Sequence, residues 1–515
     1  SRGLGDVYKR QTRSFNKQHN LNVSAGWEAA SGTTESTNAH YRGFPSGEFH
    51  SLNYAAEVYK KPTRTENTTR RVSVLASANY TWNDIYLVDA SVRFDGSSEF
   101  GANQKWAPFF SGGLGVNIHN YDFFKSNGYI NKLKLRASYG RTGKVNFPAY
   151  AATTMYETLF DEWYITGYGA VLKALGNKDL TWEKTDKLSV GIETKTFHDR
   201  LTVDFEYYYN KTIDLVNDVT LSQTSGFSTY KDNMGQVANK GVELKLRADI
   251  YRDRNWDVAL WGNMAHNKNE ILKISDSQKA YNERVAAYYK NEALYQETLG
   301  LSHGAEYSVP LPQYEEGASL TSIWAVRSLG IDPTTGKEIF LNRDGSIADK
   351  WNAAQEVVVG NTEPKCSGAF GLNLSYKNWT LFASFLYEWG GQEYNQTLVN
   401  NVENADLVNK NVDLRVLTDR WKKPGDIAQF KDIKDRGMTT LPTSRFVQDK
   451  ALVRLNSLNV SYDFNRDWIK KHLRMNLLRL EASTSDLINW SSIKQERGLS
   501  YPRSWKVEFS LKAQF

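Results

Sequence analysis

The stretch "LFDEWYITGYG" brings Asp161, Glu162, Trp163, Tyr164 and Tyr168 close together in the chain. Aromatic faces stack on sugar rings and carboxylates accept hydrogen bonds from sugar hydroxyls, so these five are the candidate ligand-contacting residues. The same residues could equally pack a loop against its neighbours. Tyr281, Tyr288, Tyr289 and Tyr295 form a second, irregularly spaced aromatic group with the same two readings. Reactive chemistry finds less support. The eight histidines are scattered, with no HExxH pair to hold zinc and no GxSxG elbow to present a nucleophile. The segment "NRDGSIADKW" holds Asn342, Asp344 and Asp349, but it lacks the spacing and the closing Glu of a calcium loop. Asp344–Gly345 there reads as a hairpin turn. The single cysteine, Cys366, excludes an intrachain disulfide and a Cys-based metal site. No catalytic residue, metal ligand or cofactor is assigned, and the chain is not expected to be an enzyme.

The elements that must position these residues are strands. The chain ends in "SWKVEFSLKAQF", where Trp505, Val507, Phe509, Leu511 and Phe515 alternate with Lys506, Glu508, Ser510, Lys512 and Gln514. Strict alternation is what a strand shows when its two faces meet different solvents. Val72, Val74, Ala76, Ala78 and Tyr80 repeat the pattern, as do Tyr86 to Phe94, Leu133 to Tyr139, Leu188 to Ile192, Val203 to Tyr209 and Val242 to Ala248. "WDVALWGNM", "FGLNLSY", "TLFASFLYEW" and "LNVSYDF" continue it. About fourteen such segments of roughly 9–13 residues are present, the length of a tilted strand that crosses a bilayer. Aromatic residues reach 13%, as a barrel with aromatic girdles requires, and no run of 18 apolar residues could form a membrane-spanning helix. The net charge of +6 is spread along the chain, so no nucleic-acid footprint is present.

The connections alternate between short (near 82–84, 197–199, 251–255, 377–378 and 465–471) and long (near 30–69, 142–182, 211–237, 267–366 and 390–450). An antiparallel meander with short turns at one end and long loops at the other is the outer-membrane barrel arrangement. A soluble sandwich has no reason to segregate loop lengths in this way. The fold class expected is therefore an all-β, antiparallel transmembrane β-barrel, with the apolar row facing the lipid bilayer and the polar row a wet lumen.

Several stretches are more specific. "VRFDGSSEFGANQKWAPFFSGGLGVNI" (92–118), "LKLRASYGRTGKVN" (133–146), "LGNKDLTWEKTDKLSVGIE" (175–193) and "DNMGQVANKGVELKL" (232–246) resemble the SusC/RagA family of TonB-dependent transporters. "GNTEPKCSGAFGLNLSYKNWTL" (360–381), "DRWKKPGD" (419–426) and "RFVQDKALVRLNSLNVSYDF" (445–464) continue the resemblance in order. It implies a barrel of about 22 strands plugged by an N-terminal globular domain, of which residues 13–515 would supply the C-terminal part of the wall without the plug. It further implies a SusD-like surface lipoprotein as lid, energy delivered by TonB through the missing N-terminal part, and oligosaccharide or sometimes peptide cargo in a Gram-negative outer membrane. Barrel-assembly machinery would read the terminal strand, Trp505 to Phe515. The opening "SRGLGDVYKRQ" resembles translated adaptor sequence, and residues 1–12 are expected to be a non-native leader. A passive 14-strand porin, an outer-membrane enzyme and an adhesin barrel are the alternatives that share this fold.

Overall fold

The computed structural model describes residues 2–45, 51–125, 128–145, 151–165, 167–174, 176–220, 229–233, 235–276, 278–280, 282–283, 314–409, 412–435, 440–464, 466–493 and 506–514. In chain order the strands are β1 (Arg2–Phe15), β2 (His19–Arg42), β3 (Glu57–Trp82), β4 (Tyr86–Ser97), β5 (Trp106–Asn117), β6 (Ile130–Lys144), β7 (Met155–Tyr164), β8 (Gly167–Ala174), β9 (Glu183–Thr196), β10 (Leu201–Ile213), β11 (Val216–Thr220) and β12 (Thr229–Asn233). There follow β13 (Gln236–Arg252), β14 (Trp256–Lys273), β15 (Ser322–Ala325), β16 (Arg327–Ile331), β17 (Glu338–Leu341), β18 (Ile347–Ala348), β19 (Val357–Asn361), β20 (Cys366–Tyr376), β21 (Trp379–Tyr394), β22 (Val447–Asp463), β23 (Leu477–Ser485), β24 (Asn489–Ser491) and β25 (Lys506–Gln514). Among the described residues the main sheet has sixteen strands, and the fourteen expected segments are those on its path after β1, with β24 as a side branch.

The chain forms two compact units, residues 1–115, 138–188 and 212–235, and residues 116–137, 189–211 and 236–515. In the first, β1, β2, β3 and β4 pair in sequence as antiparallel neighbours. Their registers align apolar rows: Trp27–Val74–Phe94, Ala25–Ala76–Val92 and Leu21–Tyr80–Val88. The alternate rows are polar, as in Asn22–Asn79–Asp89 and Ser24–Ser77–Ser91, where the first two serine hydroxyls meet at 2.7 Å. The segment set aside as a leader overlaps β1. Lys9, Gln11 and Arg13 of β1 stand opposite Ala25, Val23 and Leu21, and Val7 opposite Trp27, so β1 continues the apolar row of β2 only in part. The loop expected over 30–69 is shorter than the sequence suggests. β2 and β3 stay paired out to Arg42↔Glu57, leaving 43–56 as the connection.

In the second unit β13, β14, β20, β21, β22, β23 and β25 pair in that order. One row reads Leu511–Leu480–Tyr462–Trp379–Tyr376–Trp256 and the next Phe509–Ala482–Val460–Leu381–Leu374–Val258. Between them runs Ser510–Glu481–Ser461–Thr380–Ser375–Asp257. The terminal strand thus keeps the expected parity at Val507, Phe509 and Leu511, while Trp505 and Phe515 lie outside the described residues. Phe509 is 76% and Trp389 71% exposed, burdens that water would not tolerate across a whole face but lipid removes. At the short-turn end the first row is an aromatic belt: Trp256 and Tyr376 lie 4.2 Å apart between ring centroids, Trp379 and Tyr462 4.8 Å. Trp389 lies on the same face of β21, before the register shift that precedes Gly391. From Trp379 to Trp389, at ~3.3 Å per residue and about 40° of tilt, is roughly 25 Å along the membrane normal, the height of a barrel's apolar band.

Short and long connections alternate along the ladder. The expected turns are found at 83–85, 197–200, 253–255 and 377–378, with left-handed backbone at Asn83, Asp84, Phe197, His198, Asp199 and Lys377. The region expected to be a turn at 465–471 instead holds a helix, Arg466–Leu473, pinned by the fully buried Ile469.

Candidate functional site

The polar face is built by long side chains laid over small ones. Arg136 on β6 passes Gly191 of β9, where a Cβ would stand 2.7 Å from its Nε. Its Nη2 then donates to Asp204 Oδ1 at 2.9 Å and Glu206 Oε2 at 2.6 Å on β10. Lys132 Nζ donates to Glu193 Oε1 at 2.6 Å. The Tyr208 side chain lies over Gly241 of β13 and its hydroxyl donates to Asn267 Oδ1 at 2.9 Å. Half-exposed pairs like these stabilise by only about 0–1 kcal/mol each, so they line the wall with fixed charge more than they hold it together.

Beyond the strand ends, the loops fold around cores of their own. In the first unit Phe100, Ala107, Phe109, Ala152, Leu180 and Trp182 form a buried cluster, with the Phe100 and Trp182 rings 4.3 Å apart. Asn233 Nδ2 donates to Thr181 O at 2.9 Å and Asp214 O at 2.8 Å, fastening the base of the β11–β12 hairpin. The cluster includes Ala152 at the foot of the β7–β8 hairpin, which carries the five candidate contacts. Its register sets Trp163 opposite Tyr168 and Tyr164 opposite Gly167, and a shift between Leu159 and Trp163 takes up Asp161 and Glu162. The backbone therefore gathers all five at one hairpin tip; their side chains lie outside the described residues, as do Tyr281, Tyr288, Tyr289 and Tyr295.

In the second unit Leu398, Val399, Val402, Ala405, Val416, Phe430 and Phe446 form the loop core. Two arginines order the backbone around it. Arg420 donates to the carbonyls of Val416 at 3.0 Å, Lys431 at 3.0 Å and Glu403 at 2.9 Å, and to that of Val402. Arg445 Nη2 contacts Glu403 Oε1 at 2.7 Å and Glu338 Oε2 at 2.9 Å, with the Glu403 side chain wholly buried. Burial opposes the Arg445 charge, but the two carboxylates outweigh it and hold its pKa above the ordinary guanidinium value. Burial lowers the pKa of Lys431 nearby, with Glu403 acting in the opposite sense. Gly336, at φ +73°, sits under Trp421, where a Cβ would lie 2.5 Å from the indole. None of these residues was singled out from the sequence as a site, yet "DRWKKPGD" contains Arg420 and "RFVQDK" begins with Arg445, so those motifs encode the loop core.

Asn342 and Asp344 form the turn between β17 and β18. Asp344 Oδ1 accepts from the Ser346 backbone N–H at 2.8 Å and its hydroxyl at 2.6 Å, with Gly345 at φ +87°. Among the described residues no group of three or more His, Cys, Asp or Glu side chains is placed to hold a metal ion. Within each unit the strands carry one polar and one apolar face, and the described loop residues build small cores beyond the strand ends.

A family model described as "TonB dependent receptor-like, beta-barrel" matches residues 2–477. TonB-dependent receptor P3 of Formosa agariphila is 28% identical over 500 residues, covering 95% of this chain and 48% of the relative. TonB-dependent receptor SusC of Bacteroides thetaiotaomicron is 30% identical over 255 residues, covering 47% of this chain and 25% of that one. The solved "RagAB peptide transporter" superimposes with a TM-score of 0.80 at 23% identity, covering 100% of this chain and 56% of that chain. This chain spans about half the length of TonB-dependent receptor P3 and of TonB-dependent receptor P39 from the same organism. With its two-faced strands and aromatic rows, it belongs to the TonB-dependent receptor β-barrel family and is a protein of the Gram-negative outer membrane.

Proposed function

We propose that this chain is the wall of an energised outer-membrane importer for oligosaccharides or other glycan-like nutrients, and that it catalyses no reaction. The observation that carries the cargo class is the β7–β8 hairpin tip, where the register sets Trp163 opposite Tyr168 with Asp161 and Glu162 in the adjoining bulge. Aromatic residues at paired backbone positions with acidic residues in the same hairpin tip suit sugar rings and their hydroxyls. A SusD-like lipoprotein closes over the loops, TonB acts through parts of the transporter outside this chain, and barrel-assembly machinery inserts the wall. Cargo is held between lid and loops and then released past the charged luminal rows.

The test uses cells whose only copy of the parent transporter carries Trp163→Ala and Tyr168→Ala, supplied with labelled oligosaccharides or oligopeptides. Loss of oligosaccharide uptake, with the protein still at the surface, is the expected result. Uptake of peptides alone overturns the glycan assignment. Uptake that persists without TonB overturns the energised mechanism in favour of a passive porin.

A further inference from the structure

Two large aromatic rings stand on the polar face of the second unit. Across its strands two successive polar rows read Ser483–Asn459–Phe382–Asn373–Ala259–Asp249 and Ser457–Ser384–Gly371–Trp261–Arg247. Register thus puts Phe382 and Trp261 among amides, hydroxyls and charges, away from the apolar row of Val258, Leu374 and Leu381. In a barrel this face lines the lumen, where the burial that normally favours an aromatic is not on offer.

The rings meet across β20. Gly371 leaves that strand bare: a Cβ there would stand 2.6 Å from Trp261 Cζ2, so the indole lies over backbone. Its centroid comes to 6.2 Å from that of the Phe382 ring on β21, with the planes 11° apart. Near-parallel rings at that separation are offset rather than sandwiched, so each leaves most of a face uncovered by the other. Both residues are half-buried, and Ala259 in the same layer is wholly buried. Polar groups flank the pair. Arg247 stands opposite Trp261, its Nε donating to Asp249 Oδ1 at 3.1 Å, and its side chain is 51% exposed. Asn459, opposite Phe382, donates to Glu481. From Trp256 in the aromatic belt, five residues at ~3.3 Å and about 40° of tilt place Trp261 roughly 13 Å along the membrane normal. That is the middle of the band, among the strands and not the loops. A pyranose has an apolar face of C–H bonds and a rim of hydroxyls. A flat aromatic surface flanked by guanidinium, carboxylate and amide groups matches both parts, whereas an extended peptide backbone has no such face.

We propose that Trp261 and Phe382 form a stacking platform for a sugar ring in transit through the lumen, with Arg247 and Asp249 meeting its hydroxyls. They set the rate of passage and not the strength of capture. The proposal rests on the glycan-import reading and adds a station to it below the loops. The experiment uses cells whose only copy of the parent transporter is wild type, Trp261→Ser, Phe382→Ser or Trp261→Phe. They are supplied with labelled glucohexaose, xylohexaose and mannohexaose, and the purified transporters are titrated with the same sugars by calorimetry. For the hexaose that wild type imports, the maximal uptake rate should fall about threefold to tenfold in either Ser variant, in line with one lost aromatic contact. Its Kd should stay unchanged, and Trp261→Phe should keep most of the rate. An unchanged rate in both Ser variants, with heat-modifiable migration intact, would overturn the platform while leaving glycan import standing. A parallel loss of affinity would move the rings into capture and overturn it too. Vancomycin sensitivity of the Trp261→Ser cells would show that the rings seal the lumen instead of carrying cargo. Wild-type cells that import peptides and none of the hexaoses would overturn the glycan reading, and the sugar platform with it.

Discussion

Leu372 and Asn373 are adjacent on β20 and, on this structure, meet different solvents. Leu372 belongs to the row Val507–Thr484–Leu458–Ala383–Leu372–Leu260, two rows in from the aromatic belt at Tyr376. Four residues at ~3.3 Å and about 40° of tilt place it roughly 10 Å past the belt, close to the middle of a 25 Å band. Leu372→Arg in the parent transporter should therefore cost about 2–4 kcal/mol, the penalty for a cation at the midplane of a barrel's lipid face. Leu374→Arg, one row nearer the belt, should cost less. Asn373→Arg, on the opposite face with Ala259 and Phe382 as its cross-strand partners, should cost under about 1 kcal/mol. Urea titrations of folding into lipid vesicles measure all three. Equal costs at Leu372 and Asn373, or no gradient from Leu372 to Leu374, would refute the two-solvent reading of the sheet.

The loop core supplies further expectations. Arg445→Met leaves Glu403 buried without its cation and should destabilise the 395–446 region by about 3–5 kcal/mol, seen as faster proteolysis there with barrel migration unchanged. Adding Glu403→Gln and Glu338→Gln should restore most of that loss; no recovery would count against the ion-pair account. Lys431 has a folded pKa below its ordinary 10.5 because burial opposes its charge, so the unfolded loop holds more protons between those values. Loop stability should then rise as the pH climbs towards 10.5, and Lys431→Met should flatten that rise in protease half-life. In a Cys366→Ser background, a cysteine at Asp344 should react with an impermeant maleimide on intact cells and one at Lys377 should not; the opposite pattern would invert the topology.

The membrane-spanning strands were legible because lipid and water write opposite demands on alternate residues, as at Val203 to Tyr209. Above the membrane that demand lapses. Residues 30–42 and 57–70 are rich in Thr and charge on both faces, so their continued pairing, with Thr33 and Thr68 hydroxyls 3.1 Å apart, left no alternating signature. β1 lacks the signature for a related reason, since Lys9 and Arg13 fall on the row that its neighbour fills with Ala25 and Leu21. The helix at 466–473 was hidden inside a connection judged only by its length. Arg445, Glu403 and Glu338 were illegible as a group because 42 and 107 positions separate the arginine from its partners, and no local spacing announces a contact that only the folded loops create. The candidate contacts at 161–168 were legible as a composition, and the hairpin that gathers them was not.

Arg136 has a consequence for how the wall bears load. Backbone hydrogen bonds between strands resist being pulled apart sideways, but lengthwise sliding by two residues would offer each strand an equivalent set of partners. The guanidinium reaches past the glycine of one strand to two carboxylates on the next, so it ties three strands together like a diagonal brace. A slide of two residues would move it off one carboxylate entirely and would bring a bulkier side chain beneath it in place of Gly191. Sliding, unlike separation, therefore meets a small extra cost on the polar face, set by where that one arginine lies and not by the backbone bonds.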